Sequence, residues 1–184
     1  MKGDKVRKFI QLAGQTVVKS PKDASDELRR LGAELLLSET LEYVIKGLGI
    51  ELQVGNQVIS DPDSLEYKIN NKQVNEKEML DGLADVAYTM YWNMYAFNKN
   101  LEEAFDLVCD NNLEKFVKLD NWQRGEVLLD ESEWSLGLNV SWPPIVKTVE
   151  VIKVDNEFYA VGKDVNGKVR KPSTYKSVDL ESLL

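Results

Sequence analysis

Between about Asn75 and Asn98 the chain carries its most regular pattern: Leu80, Leu83, Ala87, Met90, Met94 and Phe97 recur at steps of three and four. That spacing follows the turn of an α-helix and excludes a strand, whose side chains alternate with period two. A helix bearing such a stripe needs other elements to cover it. A second run, from about Ala24 to Lys46, has two stripes: Leu28, Leu31 and Leu35, then Leu37, Leu41, Val44 and Leu48. Pro21 and a Ser/Asp-rich stretch precede it, and Gly47 and Gly49 stop it. Residues 101–118 read as a further helix and residues 4–13 as a short one. The expected fold is therefore mainly α: a helical bundle forming a single domain over 1–184, with core helices at about 24–47, 76–98 and 101–118.

Two segments break the helical pattern. Residues 50–60, IELQVGNQVIS, read as a β-hairpin turning at Gly55-Asn56. From about Val149 to Tyr175 apolar residues alternate, with turn pairs at Asp155-Asn156 and Asn166-Gly167, so a C-terminal β-arm is expected. Residues 50–75 read as an insertion. The connector 119–147, which holds Trp122, Trp134 and Trp142, has no periodicity that assigns it.

Composition narrows the chemistry. The chain has no histidine, which excludes Ser-His-Asp and Cys-His catalysis and every histidine metal site. A metal site would be built from oxygen ligands, which favours a hard cation such as Mg²⁺ or Mn²⁺. The single Cys109 falls at helical spacing with Leu101, Phe105, Val108 and Phe116 and reads as core packing. A net charge of -8 argues against nucleic-acid binding, which draws on excess Lys and Arg. No stretch approaches the roughly 20 apolar residues of a membrane helix. The apolar run after the basic N-terminus is interrupted by Gln11, Gly14 and Gln15, unlike a signal peptide. Cytoplasm is the expected compartment.

Carboxylates are placed where such chemistry needs them. Glu39 and Glu42 lie three apart in the first long helix; Glu78, Asp81 and Asp85 lie three and four apart in the second. Each set shares one helix face. If the two helices pack antiparallel, up to five like charges converge, and a divalent cation is the simplest remedy for their repulsion. Asn112 and Lys115 follow on the next helix and offer a hydrogen-bonding amide and a cation for phosphate oxygens.

Together these segments resemble the all-α nucleoside triphosphate pyrophosphohydrolases of the MazG and phosphoribosyl-ATP pyrophosphohydrolase-like superfamily. The resemblance rests on Ser38-Glu39-Thr-Leu-Glu42, on Glu78-Met-Leu-Asp81 with Asp85, on VCDNNLEKF, on the tail YAVGKDVNGKVRKPSTYKSVDL and on the opening VRKFIQLAGQ. Ser38 stands where the family often has the first Glu of its paired acids, and Gly82 stands where some members keep a Glu. The resemblance implies hydrolysis of an NTP or dNTP between the α- and β-phosphates, giving a nucleoside monophosphate and pyrophosphate. It assigns Glu39, Glu42, Glu78 and Asp81 to Mg²⁺ or Mn²⁺, Glu39 and Asp85 to catalysis, and Asn112, Lys115, Lys171 and Tyr175 to substrate. It also implies a homodimer or homotetramer that completes the bundle. Two other readings remain open on the sequence: a helical oligomer that binds a nucleotide or protein without turnover, motivated by Ser38 and Gly82, and the phosphoribosyl-ATP step of histidine biosynthesis.

Overall fold

The computed structural model describes residues 3–70 and 72–184 and divides into two compact units. One is Thr16–Asp85; the other joins the segment ending at Gln15 to Val86–Leu184. The elements in chain order are α1 (Asp4–Leu12), α2 (Asp26–Glu42), β1 (Leu52–Val54), β2 (Gln57–Ile59), α3 (Glu76–Ala96), α4 (Leu101–Leu113), β3 (Val117–Leu119), β4 (Val127–Leu128), β5 (Thr148–Val154), β6 (Glu157–Lys163) and β7 (Val169–Arg170). The boundary between the units falls inside α3.

A mainly α bundle is not what the chain forms. It has a five-stranded antiparallel sheet and a separate two-stranded one, an α/β mixture. The physical reason lies in two segments whose local signals are short. The helix starting at Leu101 ends at Leu113, and Val117-Lys-Leu119 then pairs with β6 as β3. Val127-Leu128, inside the unassigned connector, pairs with β5 as β4. The expected β-arm is thus the middle of a sheet ordered β3-β6-β5-β4, with β7 also on β6.

The strands alternate as the pleat requires. Val149 and Val151 on β5 and Ala160 on β6 face one side, where Leu119, Leu129 and Val146 complete a buried cluster. Trp122, Trp134 and Trp142 pack against that cluster, so the connector is the cover of this face. Tyr159 and Val161 face the other side and meet Leu12, Ala13 and Phe116, with Phe9 edge-on to Phe116 at 5.2 Å between ring centres. Cys109 is buried in α4, and burial pushes its thiol up from the ordinary value, as expected of a packing residue. Among the described residues Pro62 is the one buried residue of the 16–85 unit, and the other buried hydrophobic side chains belong to this sheet unit.

Near the start of β6 Lys8 donates to the Tyr159 hydroxyl at 2.8 Å, Tyr159 donates to Glu157, and Lys118 donates to Glu157. The Lys118 ammonium, then the Tyr159 hydroxyl, hold Glu157 down from 4.5 to about 2. A carboxyl lowered on folding adds stability that is complete above its unfolded value and is lost as pH falls through its folded value. Acid unfolding followed by circular dichroism should therefore show a Glu157-dependent loss between about pH 4.5 and 2. Glu157→Gln should flatten the curve in that window only.

The 16–85 unit is built differently. Ser25 caps α2 by accepting from the Leu28 N–H at 3.1 Å. A single π-helical turn, Tyr43–Gly47, continues it. β1 and β2 pair across Gly55-Asn56, with Gly55 at φ 60. α2 packs on the turn Pro62–Ser64, and the segment beyond returns along it, where Arg29 donates to the Lys72 carbonyl at 3.1 Å.

Candidate functional site

Helix α2 carries Leu31, Leu35, Glu39 and Glu42 at steps of four, four and three, which is one continuous stripe. Leu31 is 37% and Leu35 54% exposed, and both carboxylates are exposed. Glu42 accepts from Lys46 at 2.7 Å one turn on. Ser38 beside them is half-buried, and Thr40 bonds back to the Leu36 carbonyl at 2.7 Å.

Helix α3 begins after Asn75, whose side chain accepts from the Glu78 N–H at 3.4 Å. Glu78, Asp81 and Asp85 follow on one stripe, all exposed. At about 100° per residue, Leu83 and Met90 fall on the other side of the helix. Both are exposed, at 55% and 49%. Neither α2 nor α3 buries a single residue.

Within one chain the five carboxylates do not converge. Among the described residues no three Asp, Glu or Cys side chains come close enough to share a metal ion. The donor chemistry of Glu39, Glu42, Glu78 and Asp81 is all carboxylate oxygen, which suits Mg²⁺ or Mn²⁺.

The residues expected to meet substrate sit in the sheet unit as two pairs. Lys115 donates to Asn112 at 2.7 Å and stands over the Phe9 ring at 5.6 Å. Lys171 stands over the Tyr175 ring at 4.5 Å. Asn111, a residue the sequence reading passed over, links α4 to the tail. Its side-chain oxygen accepts from the Tyr175 hydroxyl, and its amide donates to the Lys176 carbonyl. Asn111 is buried. Its position three after Val108 and seven after Ala104, on an apolar helix face, was the available signal.

The approach of the tail is fixed one step earlier by Asp164. Its carboxylate accepts from the N–H groups of Asn166 at 2.8 Å and Lys168 at 2.9 Å, and from the Arg170 guanidinium. Burial alone would raise the Asp164 carboxyl, but Arg170 and the two N–H groups outweigh it and hold it below its ordinary value. This clamp sets the hairpin that delivers Lys171 and Tyr175 beside α4. The tyrosine ring therefore anchors the tail and seats a lysine at the same time.

No family model, curated protein or solved structure matches the chain.

Proposed function

We propose that the protein is a metal-dependent nucleoside triphosphate pyrophosphohydrolase acting as a homodimer or homotetramer. The observation that carries this reading is the exposed α2 stripe, a leucine seam that runs into two carboxylates. An apolar seam in water calls for a partner surface. Whatever covers Leu31 and Leu35 also encloses Glu39 and Glu42, and enclosed carboxylates require a cation. A second copy of the chain supplies such a surface, since α3 is equally uncovered and carries Glu78, Asp81 and Asp85.

Surface area supports the assembly. The chain exposes 13464 Å². Two separately folded proteins the size of its two units would together expose about 10,800 Å². The surplus is about 2,700 Å² per chain, or about 5,400 Å² over a dimer, at the large end of obligate interfaces of about 2,000–5,000 Å² or more.

In the proposed reaction water attacks the α-phosphorus of the nucleotide, the bond to the bridging oxygen breaks, and pyrophosphate leaves. Glu39, Glu42, Glu78 and Asp81 would hold Mg²⁺ or Mn²⁺, which would supply charge neutralisation and a more acidic water. Asp85, or Glu39 in a second role, would orient or deprotonate that water. Lys115 and Lys171 offset charge on the leaving pyrophosphate, and Asn112 and Tyr175 position the nucleotide.

The test is pyrophosphate release from the eight common NTPs and dNTPs with Mg²⁺, Mn²⁺ or EDTA. Release that EDTA abolishes supports the reading; none from folded, oligomeric protein sinks it. Sedimentation should give a dimer or tetramer, and Leu35→Lys should shift it to monomer. A native chain that sediments as a monomer at micromolar concentration removes the basis for an enclosed site. The reading in which a helical oligomer binds without turnover is favoured by one observation, the lack of a three-acid group among the described residues of a single chain. The same assay decides between them.

A further inference from the structure

We propose that the 16–85 unit carries a second site, on α2 but apart from its carboxylate stripe, that binds a small phosphorylated molecule. An open cleft of about 360 Å³ lies between the first half of α2 and residues 66–70, within the size range of small-ligand clefts. Arg29, Arg30 and Lys68 line it against a single carboxylate, Glu66. Each of the three cations has its own carboxylate partner, so the cleft is near neutral in a chain of net charge -8. Adjacent guanidinium groups suit phosphate, because each planar fork meets two oxygens at once.

The cations are held in place by contacts that an anion can replace. Arg29 pairs with Asp26 at 3.1 Å, Arg30 with Glu34 at 3.5 Å and Lys68 with Glu66 at 3.1 Å. All three carboxylates are well exposed, and such pairs hold weakly. A phosphate dianion exchanging for them leaves each carboxylate in water and not stranded. Arg29 is further steadied by the Lys72 carbonyl at 3.1 Å, so part of the ordering precedes binding.

Tyr67 supplies an independent sign. It lines the same cavity, and its hydroxyl is the one buried side-chain polar atom among the described residues with no hydrogen-bond partner. Buried polar groups are almost always paired, and those that are not call for an explanation. The hydroxyl is closed off from solvent, so an oxygen-rich ligand satisfies it only if the ring turns toward the cleft on binding.

The site is separate from the proposed metal site. At about 100° per residue, Arg29, Arg30 and Ala33 lie on the side of α2 away from Glu39 and Glu42. The inference therefore stands or falls apart from the hydrolase reading.

The experiment is calorimetric titration of the full chain in EDTA with orthophosphate, pyrophosphate and adenosine monophosphate in turn. EDTA removes any binding routed through a metal. Saturable binding of at least one probe is expected. A preference for the nucleotide identifies it as the occupant; equal or better binding of the inorganic anions identifies the free phosphate group. The double substitution Arg30→Gln with Lys68→Gln, at two exposed positions, should weaken binding by about tenfold or more. Glu78→Gln should bind as the native chain does. Three results overturn the proposal: no saturable heat with any probe, native affinity in the double variant, or loss of binding in Glu78→Gln.

Discussion

Glu39→Gln and Glu78→Gln are each expected to lower metal-dependent pyrophosphate release by about a hundredfold or more. Each removes one anionic oxygen donor from the proposed metal set and leaves a neutral amide of the same shape. A bound divalent ion supplies several kcal/mol of transition-state stabilisation, and each 1.36 kcal/mol is about tenfold in rate. Both residues are exposed on helix surfaces, so neither change disturbs a core. Glu27→Gln, in the first turn of the same α2, is the matched control. It should leave the rate within about twofold, since its only expected effect is a small helix-end term. A native rate in either site variant would remove that residue from the mechanism. A native rate in both would discard the metal set.

Gly162→Ala should cost about 1–3 kcal/mol and lower the melting temperature by roughly 3–10 °C. Gly162 pairs with Val149 on β5 and Arg170 on β7, inside the sheet. An added Cβ would run into Cε3 of Trp142 and lie 2.7 Å from its Cζ3. The indole cannot simply withdraw, because its N–H donates to the Trp134 carbonyl at 3.1 Å. The three atoms nearest to the added Cβ all belong to this one ring, which gives a sharp check. Trp142→Leu should be destabilising alone yet recover part of the loss when combined with Gly162→Ala. Simple addition of the two losses in thermal unfolding would show that the ring is not the cause.

Legibility in the sequence followed the length of each signal. Turn pairs such as Gly55-Asn56 and Asp155-Asn156 sit between the strands they join, because a tight hairpin is encoded in a few adjacent residues. The long α2 and α3 repeat their stripes often enough to be read without a partner. β3 and β4, at three and two residues, are too short to show alternation, and they turn an expected arm into a full sheet. The tryptophans of the connector gave no period because they answer to a sheet face assembled from distant segments. In the candidate site, residue types and helical spacing identify the carboxylates, whereas their convergence depends on packing that no spacing within one helix encodes. Asn111 was obscured for a related reason: its partners, Tyr175 and Lys176, are more than sixty residues away.

The distribution of indoles has a spectroscopic consequence. Trp122, Trp134 and Trp142 all pack on one face of the sheet, Trp92 is 58% exposed on α3, and the chain has four tryptophans in all. No tryptophan lies in Thr16–Asp85. Intrinsic emission thus has two sources: a shielded group of three that tracks melting of the sheet unit, and one solvated ring whose blue shift or quenching tracks covering of α3. Unfolding confined to the 16–85 unit is dark in this channel and has to be followed by far-ultraviolet ellipticity.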